Sequence, residues 1–237
     1  MKKNIFITII GLALCVAQLH AQQIFKGKIT YKTTFSGDEK LIEQAKLFLG
    51  TTTEVVSDGK KFRYYIDGGM RNSEFIFEAG KNVFYSIDTK KETITKNSLR
   101  AKSTRDRKVT AKKTGKVKII AGIKTHHIEL YSGDKKQVEV WLSDEYYWNL
   151  KDHPYKVKGM LLEGSFKDLK NQVILALVLL HPSGKAAIEM TAQEVDTNVP
   201  KDAFKLPKGF KVTDKTKSKS QETEKKVEKK KTVKGGE

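Results

Sequence analysis

From Phe25 the chain alternates: Phe25, Gly27, Ile29, Tyr31, Thr33 and Phe35 share one parity, and Lys26, Lys28, Thr30, Lys32 and Thr34 the other. A period of two over this length predicts a half-buried antiparallel strand, because successive side chains of extended backbone point to opposite faces. After Gly37 and Asp38 the apolar residues Leu41, Ile42, Ala45, Phe48 and Leu49 recur at spacings of one, three and four, and Gly50 follows. That spacing predicts a short amphipathic helix closed by a glycine cap. Residues 51–57 and 60–66 flank Asp58-Gly59, a dipeptide that accepts the positive φ of a tight hairpin turn. The same alternation places Phe62, Tyr64 and Ile66 on one face.

Short strands follow over residues 73–78, 82–87 and 92–96, separated by turn residues. Residues 123–131 and 137–143 predict another hairpin around Ser132-Gly133-Asp134, and residues 144–155, with Tyr146, Tyr147, Trp148 and Pro154, read as an aromatic-rich loop. The apolar run 173–180 is too short to cross a bilayer and reads as a strand covered on both faces. Residues 187–195 alternate again. Strand follows strand with one helix among them, so the expected fold is a mainly β antiparallel meander and not an alternating α/β sheet.

The two ends differ from this body. Lys2 and Lys3 precede an apolar stretch over residues 5–17, and Ala21 supplies a small residue where a signal peptidase would cut. Residues 1–21 therefore read as a secretory signal cleaved after Ala21. A rival reading makes Cys15 an acylated lipoprotein cysteine; Leu12 fits it, but Leu14 is bulkier than the small residue such sites favour. Cleavage at Ala21 leaves no cysteine, which suits a periplasmic or cell-envelope location. At the other end no aromatic follows Phe210, and Val227 and Val233 are the only apolar residues of 213–237. That segment reads as a disordered lysine-rich tail, leaving 22–212 as one domain.

Charge adds a second feature. Lys and Arg number 46 against 28 Asp and Glu, a net charge of +18. The surplus is localised: residues 100–118 carry nine basic residues against Asp106 alone. Arg105, Arg107, Lys108, Lys112, Lys113 and Lys116 are the candidate anion-binding residues, with a solvated exposed hairpin as the plainer reading. For an exported chain the available polyanions are an anionic membrane surface and surface glycans; the stretch lacks interleaved aromatics, so nucleic acid is not an expected partner. His126 and His127 are adjacent on a strand and point to opposite faces, so regular backbone cannot bring both to one metal. His126 shares its face with Ile128 and Leu130 and reads as a core histidine. There is no zinc spacing, phosphate-binding glycine loop or Ser/His/Asp signature, so no catalysis, metal or cofactor is expected. Nothing in the pattern sets the oligomeric state.

Four segments occur in order: residues 120–126 (Ile-Ala-Gly-Ile-Lys-Thr-His), 140–145 (Val-Trp-Leu-Ser-Asp-Glu), 159–163 (Gly-Met-Leu-Leu-Glu) and 204–210 (Phe-Lys-Leu-Pro-Lys-Gly-Phe). Together they resemble an uncharacterised exported family placed near the LolA-like periplasmic lipoprotein carriers. The resemblance implies a curved antiparallel half-barrel lidded by short helices over an apolar hollow, and acyl-chain transfer in the carrier members. Leu161 stands where the family often has proline, and no arginine here matches the one that gates a true carrier's cavity. On this reading the chain is a non-enzymatic module holding a lipid or acyl-chain ligand, lined by Phe62, Tyr64, Ile66, Phe75, Phe77, Tyr85, Trp141 and Met190. The alternative is an interaction or scaffold protein with a filled core, docking to anionic partners through the basic stretch and the tail.

Overall fold

The computed structural model describes residues 23–69, 73–78, 81, 83–98, 110–149, 169 and 171–216. The segment 1–21 with its cut at Ala21, the side chains of Arg105, Arg107 and Lys108, and the tail from 217 onward lie outside the described residues.

Among the described residues, thirteen strands and one helix appear in chain order: β1 (Gln23–Ile24), β2 (Gly27–Gly37), α1 (Glu39–Leu49), β3 (Thr52–Ser57), β4 (Lys61–Asp67), β5 (Ser73–Glu78), β6 (Val83–Asp88), β7 (Thr93–Ser98), β8 (Thr110–Ile120), β9 (Ile123–Ser132), β10 (Lys135–Tyr147), β11 (Gln172–Leu180), β12 (Ala186–Asp196) and β13 (Lys211–Asp214). They form one sheet in the order β13-β7-β6-β5-β4-β3-β2-β12-β11-β10-β9-β8, with β1 added parallel to β10. The sheet is mainly antiparallel, curved and open; β8 and β13 are its two ends and do not pair with each other.

The curvature follows from ring contacts. Phe62 on β4 and Trp148, just after β10, have centroids 5.5 Å apart. Five strand intervals separate β4 from β10, which in a flat sheet would be about 24 Å at the usual interstrand spacing. The sheet must curl to bring them together. The cluster on this inner face joins Phe25, Ile29, Tyr31, Val55, Phe62 and Phe77 from one half to Ile120, Ile123, Trp148, Val173 and Leu175 from the other. Phe25 sits at the join, edge-on to both Tyr146 and Trp148 at 5.4 Å. The Tyr31 hydroxyl crosses the same gap and donates to the Ile174 carbonyl at 2.8 Å. Burial raises that hydroxyl above the ordinary phenol range.

Helix α1 lies where the spacing predicts it. The Asp38 carboxylate accepts the N–H groups of Lys40 and Leu41 at 3.1 and 3.2 Å, satisfying donors that the first turn leaves unpaired. Gly50 ends the helix at φ +63° and donates to the Lys46 carbonyl. A Cβ at Gly50 would come within 2.1 Å of the Asp67 carbonyl oxygen, so glycine lets the start of β3 lie against the end of β4.

The strands depart from the sequence reading in several places. Ser57 pairs with Phe62 and β4 begins at Lys61, so the three residues 58–60 join β3 to β4, and the Asp58 carboxylate accepts from Lys60 and Lys61 N–H at 2.8 and 2.6 Å in place of a two-residue turn. Tyr146 and Tyr147, expected in a loop, close strand β10, where β1 adds in parallel. The second half of the basic stretch is edge strand β8, not a free hairpin. The domain boundary placed at 212 falls inside β13, which pairs in parallel with β7 through Asp214; Lys215 N–H still reaches the Lys96 carbonyl at 2.9 Å. On the outer face, Phe204, Leu206 and Phe210 pack over the buried residues Ile76, Ile87 and Ile94, so the C-terminal segment is a strap on the sheet.

Candidate functional site

Cross-strand register defines the inner face. Val55, Tyr64, Phe75 and Ser86 stand in one row across β3–β6; Ser57, Phe62, Phe77 and Phe84 stand in the next. Ile66 continues this face toward α1, opposite Thr53 and next to Tyr31. Burial falls along it. Phe62 and Phe77 have no exposed surface, whereas Tyr64, Ile66, Phe75 and Phe84 are each half-buried. Beyond the buried Thr53, Tyr31 and Thr33, half-buried apolar positions resume at Phe35, Ile188 and Met190, which register places on the same side of β2 and β12, and at Leu179 of β11. One end of the inner face is thus a filled aromatic core, and the other an apolar surface partly open to solvent.

Ring geometry explains the filled end. Phe77 meets Tyr64 edge-on at 5.7 Å and stacks on Phe84 at 5.7 Å. Burial pushes the Tyr64 hydroxyl above the ordinary phenol range, with the neighbouring Tyr31 hydroxyl adding to the shift.

Of the eight residues expected to line a ligand, Tyr64, Ile66, Phe75 and Met190 fall on the half-open part of this face. Trp141 adjoins the core cluster but pairs with His127 and Ala176, on the side of β10 opposite Val140, Leu177 and Met190, so it lies off the half-open surface. Phe62 and Phe77 are core, closed by their own neighbours, and offer a ligand no surface. Tyr85 is a correction. It pairs with Ile76 on the opposite face and belongs to the cluster under the Phe204–Phe210 strap. Phe84 takes its place inside. The sequence could not separate the two, because β6 carries apolar residues on both parities: Val83, Tyr85 and Ile87 against Phe84.

A second feature lies at the other end of the sheet. Strand β8 pairs regularly with β9 at Lys113↔Ile128 and again at Val117↔His126, so Thr114, Gly115 and Lys116 all stand against His127. This bulge has Gly115 at φ +75°, with nothing within 4 Å of where a Cβ would be. Beside it opens a cleft of about 450 Å³ lined by Lys113, Gly115, Lys116, Val117, His126, His127, Asp144 and Gln172. None of the eight expected lining residues borders it.

The bulge also changes the histidine picture. Both histidines reach one cleft although they alternate on β9, because the opposing strand gives way. The buried one is His127, not His126: its side chain is 1% exposed, its ring lies on Trp141 at 4.6 Å, and its Nδ1 is 2.8 Å from the Thr114 hydroxyl. His127 Nε2, itself buried, faces a Glu139 carboxylate oxygen at 3.3 Å. His126 is half-buried, with Nδ1 2.6 Å from Asp144 Oδ1. Among the described residues no group of three or more His, Cys, Asp or Glu could hold a metal ion.

The anion-binding candidates divide accordingly. Lys112, Lys113 and Lys116 are exposed on β8, and Lys113 and Lys116 border the cleft. Lys118, in the same basic run, is committed elsewhere, its ammonium 4.1 Å from the Trp141 ring centroid. Nearby, Glu129 is held below the usual carboxylate range chiefly by the Tyr131 hydroxyl, and Glu139 chiefly by Lys136. Lys136 sits between both carboxylates and takes up their charge.

No protein-family model and no curated protein matches the chain. Solved structures do match. An uncharacterized conserved protein from Thermus thermophilus aligns at 11% identity over 78% of this chain and 90% of that one, with a TM-score of 0.45. PNGF-II aligns at 14% identity over 84% of this chain, with a TM-score of 0.41; the match spans 32% of PNGF-II. A domain assigned to outer membrane lipoprotein sorting, from Vibrio parahaemolyticus, aligns at 11% identity over 78% of this chain and 91% of that one, with a TM-score of 0.32. No helix among the described residues is long and apolar enough to cross a membrane.

Proposed function

We propose that the chain is a non-enzymatic module of the periplasm or cell envelope that holds an apolar, lipid-like ligand on the half-open part of its inner face. One observation carries this reading: the half-buried apolar positions Tyr64, Ile66, Phe75 and Phe84 on one side of the buried Tyr31, Thr33 and Thr53, and Phe35, Ile188 and Met190 on the other, which the sheet curls around but does not enclose. Apolar surface left this way in a concave sheet is what an acyl chain would cover, with dispersion contacts and released water as the driving force. The signal-like pattern of residues 1–21 supports the location. Titration with a fluorescent fatty acid tests the reading. Saturable uptake that competes with unlabelled acyl chains is expected, and absence of uptake across several chain lengths overturns it.

A second reading has its own support. The basic edge strand exposes Lys112, Lys113 and Lys116 together with Val117 and Ile119, which are 55% and 74% exposed. That combination suits docking to an anionic partner or membrane surface, and salt would weaken such docking within the screening length of about 8 Å at physiological ionic strength.

A further inference from the structure

We propose that the cleft at the β8 bulge is a binding site for a phosphate group. The inference is independent of the apolar-ligand reading, since none of the residues of that surface borders the cleft.

The donors converge on one opening. Lys113 and Lys116 flank Gly115 on the bulged strand, and both histidines stand opposite. Neither lysine makes an ion pair among the described residues. His127 lines the cleft with a buried ring whose nitrogens are turned to protein groups, Nδ1 to the Thr114 hydroxyl at 2.8 Å and Nε2 to a Glu139 carboxylate oxygen at 3.3 Å, so it forms part of the wall and is not a donor to the ligand. His126 has Nδ1 engaged by Asp144, which orients the ring and leaves Nε2 for a ligand. Gln172 donates its amide to the Ser143 carbonyl at 2.8 Å and holds the floor in place.

The chemistry selects phosphate over carboxylate. Among the described residues no arginine borders the cleft, so they offer no planar fork of the kind that recognises a carboxylate with two parallel bonds. Two ammonium groups and the His126 imidazole are instead separate donors, suited to a tetrahedral anion with several acceptor oxygens. Among the described residues Asp144 carries the one carboxylate that lines the cleft and is turned to His126, so the charge these residues offer to the ligand is that of the lysines. A phosphate monoester, with a charge of roughly −1.5 to −2 at neutral pH, matches two lysines. The volume of about 450 Å³ leaves room for the group that bears the phosphate.

The test follows the imidazole resonances of His126 and His127 while inorganic phosphate is added to the chain at constant ionic strength. Saturable shifts of both rings are expected, with a midpoint on the order of tenfold weaker in Lys113→Gln/Lys116→Gln, as loss of charge-assisted hydrogen bonds implies. A Lys112→Gln/Lys211→Gln control, with lysines outside the cleft, keeps the original midpoint. Each single cleft variant gives the same comparison should the double variant lose its melting transition. Parallel arms measure sedimentation with phosphatidylcholine vesicles, with and without phosphatidic acid. Retention by phosphatidic acid that the double variant loses assigns the phosphate to a lipid headgroup; binding of inorganic phosphate alone assigns it to a soluble ligand. Non-saturating shifts with no vesicle retention, or equal behaviour of the cleft variant and the control, overturn the proposal. Uptake of an apolar probe is read separately, so failure of one reading leaves the other standing.

Discussion

Phe62 and Phe75 stand one row apart on the same face of the β4–β5 pair, yet they should answer differently to truncation. Phe62 is fully enclosed, meeting Trp148 at 5.5 Å and pairing across the sheet with Phe77. Its replacement by alanine removes a buried ring and leaves a cavity, at a cost of about 3–5 kcal/mol. For a domain of this size each kcal/mol is roughly 2–4 °C in melting temperature, so Phe62→Ala should lower it by about 6–20 °C. Phe75 is half-buried, with its ring 6.4 Å from Phe77 and part of its surface open. Water can fill the space it leaves. Scaling the same burial to the enclosed part of the ring gives about 1–2 kcal/mol for Phe75→Ala.

The ligand readout should run the other way. Phe75→Ala removes surface an acyl chain would cover and should weaken fatty-acid uptake severalfold. Phe62→Ala, measured well below its melting temperature, should leave uptake near its original value. Thermal unfolding and a fluorescent fatty-acid titration on both variants decide the matter. Comparable melting temperatures for the two would show that the enclosed row is not the core. Uptake lost with Phe62 and kept with Phe75 would place the ligand somewhere other than the half-open surface.

Two further outcomes concern the C-terminal strap. Leu206→Ala/Phe210→Ala strips apolar cover from Ile76, Ile87 and Ile94 and should cost about 3 kcal/mol by loss of buried apolar area, read as a lower denaturant midpoint; an unchanged midpoint would mean that the strap does not hold the outer face. Asp214 is held down to about 2, first by the Thr216 hydroxyl and backbone N–H and then by Lys96. A carboxylate whose folded value lies below the unfolded value of about 3.9 favours the docked strand above pH 4 and loses that contribution as pH falls toward 2. Hydrogen exchange at the Lys215 amide should therefore quicken over that interval beyond its intrinsic pH dependence, and Asp214→Asn should remove the extra slope; a persisting slope would refute the assignment.

Strands with one apolar parity were legible from sequence, and those whose role depends on partners far along the chain were not. The alternation from Phe25 to Phe35 and the burial on both faces of residues 172–177 both follow from local pattern. Strand β8 is different. Its exposed positions are mostly lysines with a glycine in the middle, which locally reads as solvated loop; its strand conformation comes from pairing with β9. The interior glycine was the available signal, because glycine inside a strand marks bulges. Strand β13 has four exposed residues and no amphipathic pattern, and it exists because Phe204 and Phe210 anchor the chain against the outer face and deliver it beside β7. The cleft was hidden for the same reason: Asp144 and Gln172 lie far from Lys113 in sequence, and only the sheet order brings them together.

An open sheet must manage two edges, and this one manages them differently. At one end the strap adds β13 in parallel to β7, replacing a six-residue edge with one of four. At the other end β8 is eleven residues long and exposes Val117 and Ile119, a template that could recruit another strand. Lysines on both sides of the bulge make such pairing costly for any partner that is not acidic. The bulge also interrupts the run of regular register at residues 114–116, so a straight incoming strand would meet a discontinuity. The interruption that protects the edge is the one that opens the cleft and leaves His127 facing it. Edge protection and anion recognition therefore draw on the same residues of β8, which gives a physical reason for so much positive charge to sit on an edge strand instead of being spread over the sheet.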